Sequence, residues 1–309
     1  MAKPVSNDFQ TQVDFDAAID LHRQGRLEQA RAIYERILKT HRRHADSLHM
    51  LGVIELQLRQ YDKALKLIDK AIAIQADHPG FHMNRGAALK ELGKLEQAVR
   101  SYEQAIKLQP DFAQAFFNRG NAYRQLGKFD SAVADYAKAV SIDPRLAEAH
   151  INRGIALQQL QQFEAAIAEF DRGIALNPNL ADAFAGRGET LLQLQRFEAA
   201  LPDFDKAIAL RPDNPEPFRY RGDVRQLLGK FAESIPDYDR AIALKPEYVE
   251  AFVNRGVARE QLKDFRGAIA DHDQAIQLNP DHAVAHRNRG NAQLGLGASA
   301  AYQVSVKPL

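Results

Sequence analysis

The chain contains no cysteine and no tryptophan. Disulfides, thiolate nucleophiles and cysteine-ligated zinc are excluded before any motif is read, and a reducing compartment fits. No stretch approaches the ~20 consecutive apolar residues needed to span a bilayer. The opening segment from Met1 to Val5 runs into Asp8, Asp14 and Asp16 instead of the apolar core of a secretory signal. A cytoplasmic protein with no membrane partner is the expectation. Charge of one sign is missing too: 41 Lys and Arg against 40 Asp and Glu leave a net charge of +1, which gives no electrostatic case for nucleic acid.

What the 309 residues do have is a period. Gly52, Gly86, Gly120, Gly154, Gly188, Gly222, Gly256 and Gly290 are each 34 residues apart. With this glycine counted as position 8, eight repeats span 11–44, 45–78, 79–112, 113–146, 147–180, 181–214, 215–248 and 249–282. The first carries Ala18 in place of glycine, while Ala30 and Tyr34 keep its register. Residues 1–10 form an N-terminal tail, 283–296 a single helix of a partial ninth repeat, and 297–309 a C-terminal tail.

Apolar spacing within a repeat is helical twice over. In the fourth, Phe116, Ala122, Tyr123 and Leu126 mark helix A, and Phe129, Ala132, Val133, Tyr136, Ala139 and Val140 mark helix B, with Gly127-Lys128 as the turn. Pro110, Pro144, Pro178, Pro212, Pro246 and Pro280 fall at position 32, where proline pushes its predecessor out of the α region and ends helix B. A mid-helix glycine costs about 1 kcal/mol relative to alanine, so its recurrence needs a packing reason. Position 20 (Ala98, Ala132, Ala166) and position 27 (Ala105, Ala139, Ala207) are small as well, which lets helices A and B approach closely. A hairpin this short cannot bury enough surface to fold alone, so the repeats must stack.

Small residues at 8, 20 and 27, aromatics at 4, 17 and 24 and proline at 32 resemble the pattern of the tetratricopeptide repeat over residues 11–296. The resemblance implies an all-α, right-handed superhelix, or solenoid, of stacked helix-turn-helix repeats. It also implies that helix A lines the concave side and that peptides or proteins are bound there.

Enzyme-like signals weigh little. Gly120 and Gly127-Lys128 are separated by two residues too many for a phosphate loop, and Phe129 stands where Ser or Thr belongs. His78/His82 and His282/His286 have the i,i+4 spacing of a two-histidine metal face but no foreseeable third ligand. His82, His150 and His286 share position 4 with phenylalanines and read as packing side chains. No nucleophile elbow or catalytic domain is present, so the expectation is a non-enzyme with no cofactor and no metal.

Position 7 holds Arg85, Arg119, Arg153, Arg187, Arg221, Arg255 and Arg289, and position 23 holds Asp135, Glu169, Asp203, Asp237 and Asp271. These positions lie level on the two helices of one hairpin, so the charges can pair. Repeats lacking the arginine also lack the acid, as in Ala17 with Ile33 and Leu51 with Leu67; Arg85 with Ser101 is the one mismatch. This covariation between repeats marks the arginines as structural rather than as an anion ladder.

Asn84, Asn118, Asn152, Asn254 and Asn288 share position 6 of helix A. Asparagine is a mediocre helix residue, and its amide can donate to and accept from a peptide backbone. The row is similar to the asparagine ladder in the superhelical domain of O-linked N-acetylglucosamine transferases, which implies a grip on extended peptides. Met83, Phe117, Ile151 and Val253 at position 5 suggest apolar pockets, Gly186 and Tyr220 interrupt the ladder, and Glu189 and Asp223 lead an acidic excess with Asp182, Glu216, Glu250 and Glu260. The expected partner is thus a protein or extended peptide with a basic stretch. The alternative is the acceptor-recognition part of a glycosyltransferase system lacking its catalytic domain. The lysine and asparagine clamp of chaperone-tail binders is not supplied by any three successive repeats.

Overall fold

The computed structural model describes residues 7–305, with side chains from residue 8 to residue 298. Among the described residues there are seventeen α-helices and no strand, and no helix is long and apolar enough to cross a membrane. The chain divides into two compact units, Met1–Ala156 and Leu157–Leu309.

The first unit contains α1 (Asn7–Arg23), α2 (Leu27–Thr40), α3 (Ala45–Gln57), α4 (Tyr61–Ile74), α5 (Pro79–Glu91), α6 (Leu95–Leu108), α7 (Ala113–Gln125), α8 (Phe129–Ile142) and most of α9 (Ala147–Gln159). The second holds the end of α9 and then α10 (Phe163–Leu176), α11 (Ala181–Gln193), α12 (Phe197–Leu210), α13 (Pro215–Leu227), α14 (Phe231–Leu244), α15 (Val249–Gln261), α16 (Phe265–Leu278) and α17 (Ala283–Ser305). Odd-numbered helices are the A helices. Within the first unit α3 also touches α5 and α5 touches α7, and within the second α11 touches α13, α13 touches α15 and α15 touches α17, with no comparable contact between successive even-numbered helices among the described residues. The A helices are therefore the inner layer of each unit.

The helix boundaries follow from local chemistry. Position 15 takes the left-handed conformation, supplied by glycine at Gly25, Gly93, Gly127 and Gly229 but by Arg59, Gln161, Gln195 and Lys263 elsewhere, at φ of 57° to 63°. At Gly127 the Lys128 amide donates to Tyr123 O at 2.9 Å and the Gly127 amide to Arg124 O at 3.1 Å, which satisfies the carbonyls orphaned at the end of α7. Gln109, the residue before Pro110, is extended at φ −137° and ψ 93° and stops α6.

The recurrent glycine has a more specific reason than backbone approach. A Cβ on Gly120 would lie 2.8 Å from Tyr136 Cε1, one on Gly86 2.5 Å from Tyr102 Cε1, and one on Gly222 2.8 Å from Tyr238 Cε1. Glycine at position 8 clears a seat for the ring at position 24. Ala98, Ala105, Ala132 and Ala139 are fully buried beside those rings.

Both ends differ from the sequence reading. Helix α1 starts at Asn7, inside the expected tail, and α17 runs through 297–305, past Leu296 where the register ends. Gly297 at position 15 is not left-handed here. The alanine-rich Ala298-Ser299-Ala300-Ala301 that follows favours continuing the helix. The remaining tail residues, 1–6 and 306–309, lie outside the described residues.

Candidate peptide-binding surface

The arginines form an internal frame. Arg119 is bidentate to Asp135, with Nε and Nη2 each at 2.7 Å. Arg187 pairs with Asp203 at 2.9 and 2.6 Å, Arg221 with Asp237 at 2.5 Å and Arg255 with Asp271 at 2.6 Å. Each of the last three also binds an acid of the preceding repeat: Arg187 with Asp171 at 2.5 Å, Arg221 with Asp205 at 2.5 Å and Arg255 with Asp239 at 2.6 Å. These guanidiniums join successive repeats, and their hydrogen bonds to carboxylates hold Arg119 and Arg187 above the ordinary arginine range. They are structural.

In the first unit the position-6 amides also face protein. Asn84 Nδ2 donates to His49 Nε2 at 2.8 Å, and burial beside His78 pushes His49 down to about 4, so the ring is a neutral acceptor. His49 and His78 both contact the Phe81 ring, at 4.5 and 4.2 Å. Asn118 accepts from Gln114 at 3.1 Å and points Nδ2 at Met83 Sδ, 3.7 Å away. Asn152 Nδ2 donates to Asn121 Oδ1 at 2.9 Å, which also accepts from Tyr136 at 2.7 Å. The amides are thus partly spent tying one A helix to the next, which sequence reading did not foresee.

The second unit carries a denser polar cluster. Asn254 Nδ2 donates to Asp223 Oδ1 at 2.7 Å, and Arg219 binds Asp223 Oδ2 at 2.5 Å and Tyr248 Oη at 2.6 Å while its guanidinium lies 3.9 Å from the Tyr220 ring centre. Tyr220 Oη donates to Glu189 at 3.0 Å. Burial raises the carboxyls of both Glu189 and Asp223.

Beside this cluster opens a groove of about 520 Å³ lined by Asp223, Gln226, Leu227, Phe231, Asn254, Val257 and Gln261. Leu227 is 58% exposed on its wall. Glu189 borders a smaller, polar groove of about 250 Å³ with Gln158, Gln161, Phe163 and Gln193. Leu227 escaped the sequence reading although a signal existed: it is the one apolar residue at position 13, where the other repeats hold Arg23, Gln57, Glu91, Gln125, Gln159, Gln193 and Gln261.

Several sequence-chosen residues are placed differently. Ile151 and Val253 are each 5% exposed, and Val253 packs with Phe252, Ala275 and Ala285. Val253 is covered by the B helix of its own repeat and by the next A helix, and both side chains are buried core and not pockets. Met83 and Phe117 stay half-buried, Phe117 packing on Tyr136 at 6.0 Å. Asn288 is 8% exposed on α17, which packs on α15 and α16. The acidic excess is partly neutralised, since Asp182 pairs with Arg211 and Asp223 with Arg219, while Glu260 is hydrogen-bonded with His272. His82 and His286 bond Ala76 O and Pro280 O, His282 caps Ala285 N, and among the described residues no three ligating side chains gather.

Stacked helical hairpins with an inner helix layer define a class of repeat scaffold. Family models described as TPR repeat match residues 88–123, 120–161 and 222–263, and models described as tetratricopeptide repeat match 15–79, 151–215 and 249–282. The chain belongs to the tetratricopeptide repeat family. It is a protein-interaction scaffold of a generally non-catalytic family whose members bind protein or peptide partners.

No curated protein matches the sequence. Among solved structures it is similar to YrrB, described as a TPR protein with an unusual peptide-binding site, at 23% identity and TM-score 0.54, covering 62% of this chain and 99% of that one. It is similar to a tetratricopeptide repeat protein from Parabacteroides merdae at 20% identity and TM-score 0.60, covering 81% and 98%. It is also similar to pilF of Pseudomonas aeruginosa at 19% and 0.62, covering 69% and 97%. At these identities the likeness shows the fold.

Proposed function

We propose that the chain holds an extended segment of a partner protein in the groove between α13 and α15, within the second unit. The observation that carries this reading is the coincidence, in one groove of about 520 Å³, of an exposed Leu227 with the amides of Gln226, Asn254 and Gln261. An apolar partner side chain would cover Leu227 and Phe231, and the Gln261 amide and Asn254 Oδ1 would bond the partner backbone, Gln226 being tied to Tyr238 and to Asn254 O. The grip is narrower than a ladder along all five asparagines, because Asn288 is buried and Asn152 and Asn254 each donate to the neighbouring helix. The exposed carboxylates of Glu216 and Glu250 favour a basic residue about 16 Å along the helices from the apolar anchor, at the 1.5 Å rise per helical residue. The YrrB description of a peptide-binding site on the same fold supports the reading.

The test is selection of binders from a displayed peptide library, followed by calorimetric titration of the best peptide. Leu227→Asp, a surface change, should weaken binding at least tenfold. Asn254→Ala should cost about 0.5 to 1.5 kcal/mol, the net worth of a neutral hydrogen bond. Selected peptides that bind Leu227→Asp as tightly as the unaltered chain would place recognition on another surface.

A further inference from the structure

From Arg85 to Arg255, the arginine frame has one member with no acid at position 23 of its own repeat, Arg85. Every position-7 arginine between Arg85 and Arg255 has position 25 of the preceding repeat sixteen residues before it and position 23 of its own repeat sixteen residues after it. Arg187, Arg221 and Arg255 carry carboxylates on both sides. Arg85 has Asp69 before it, at 2.7 Å from Nε, but Ser101 after it, at 2.9 Å from Nη1. Serine is shorter and uncharged, so the carboxylate that position 23 supplies in the fourth to eighth repeats is missing here.

The place is open to solvent. A pocket of about 440 Å³ lies over α5 between α4 and α6, walled by Arg85, Arg100, Ser101, Gln104 and His82 against Asp69, with the aliphatic Ile72 and Ala73 along one side. Two guanidiniums thus face one carboxylate. Arg100 is exposed, and it also lines a separate groove of about 230 Å³ with Glu96 and Glu103. It is therefore held between two sites. Ser101 is 3% exposed and its hydroxyl donates to Gln97 O at 3.1 Å, leaving an oxygen lone pair to accept from Arg85.

We propose that this pocket binds a carboxylate: the side chain of an aspartate or glutamate on a partner protein would take the place that Asp135, Asp203, Asp237 and Asp271 occupy in their own repeats. A guanidinium presents paired donors in a fixed fork that matches a carboxylate. Arg85 is already aimed by its hydrogen bonds to Asp69 and Ser101, so the incoming group meets a preorganised partner. The site lies in the first unit, over the inner-layer helix α5 between the outer helices α4 and α6, and is independent of the groove beside Leu227. A partner could be engaged at either without the other.

The test uses acetate as the probe, titrated at constant ionic strength with chloride as the compensating anion, and reads the Nε–Hε resonances of the arginines by NMR. Saturable shifts at Arg85, with Arg119 unmoved, are expected. Ser101→Asp supplies the missing carboxylate internally and should abolish the response without lowering the melting temperature. Arg100→Ala, an exposed change that spares the fold, should weaken it several-fold. The absence of saturation at Arg85, an equal shift at Arg119, or an undiminished response in either variant would overturn the proposal.

Discussion

At the scale of single residues, the same side chain does different work in different repeats because its neighbours differ. Position 5 shows this most clearly: it is Arg219 in a polar cluster, Val253 in the core, and His49 tilted against the Phe81 ring. His49 has a consequence for stability. Burial, reinforced by His78, takes its folded-state value from 6.5 down to about 4. A histidine depressed in this way stays neutral in the fold while the unfolded chain takes up a proton. Its contribution is therefore fully present above pH 6.5 and is lost as pH falls from there toward 4. The slope approaches about 1.4 kcal/mol per pH unit, for a loss of roughly 3 kcal/mol across the window. Desolvation lowers His44 in the same sense. Replacement by glutamine keeps an acceptor for Asn84 and removes the titration. Denaturant midpoints measured at pH 7 and pH 4.5 should therefore differ less for His49→Gln than for the unaltered chain. An equal difference would mean that His49 is not held neutral.

At the scale of helices and hairpins, the strongest link inside a repeat is the position-7 arginine. Arg119 and Asp135 have side chains only 18% and 8% exposed, so removing one partner strands a buried charge. Such a loss costs about 3 to 5 kcal/mol, whereas exchanging both for apolar residues can be near neutral. Leu51 with Leu67 in the second repeat is that exchange already made. Arg119→Leu should accordingly lower the unfolding free energy by several kcal/mol and the Arg119→Leu, Asp135→Leu double variant should recover most of it; no recovery in urea unfolding would remove the pair from the frame. The pairing was legible in sequence because both residues belong to one repeat and covary across repeats. The bonds from Arg187, Arg221 and Arg255 to the acid sixteen residues earlier were not read, since they join two repeats and the register was compared within one. Leu227 was hidden for a related reason: an apolar residue on an inner helix reads as core until the packing shows it exposed. Conversely, the family resemblance puts position 5 on the concave face, yet Ile151 and Val253 are buried, because whether that position is covered depends on the side chains that neighbouring helices bring over it, as Ala275 and Ala285 do over Val253. The continuation of α17 follows from the helix preference of the alanine-rich 298–301, which the 34-residue register does not encode.

For the molecule as a whole, the energetics follow from what touches what. The helices described in each unit contact their sequence neighbours and, among A helices, the next A helix. Stability in such an array is close to a sum of repeat terms and nearest-neighbour terms, with no single core whose loss unfolds everything. A lesion in one repeat should then propagate only as far as its interfaces. Tyr238 is a suitable lesion: it is fully buried, seats over Gly222 and lies within hydrogen-bond distance of Asp223 and Gln226. Truncating a buried ring of this kind costs about 3 to 5 kcal/mol, enough to bring local opening of its hairpin within reach of native-state exchange. Tyr238→Ala should speed deuterium uptake across α13 to α15, where Arg219, Asp223 and Asn254 lose their support, and leave α3 to α6 exchanging as before. The same variant should lose the Leu227 groove while keeping the acetate response at Arg85, because that pocket is built from repeats that do not touch Tyr238. Uniform acceleration from α3 to α16 would instead show that the chain unfolds as one cooperative body, and the independence of its two sites would have to be given up.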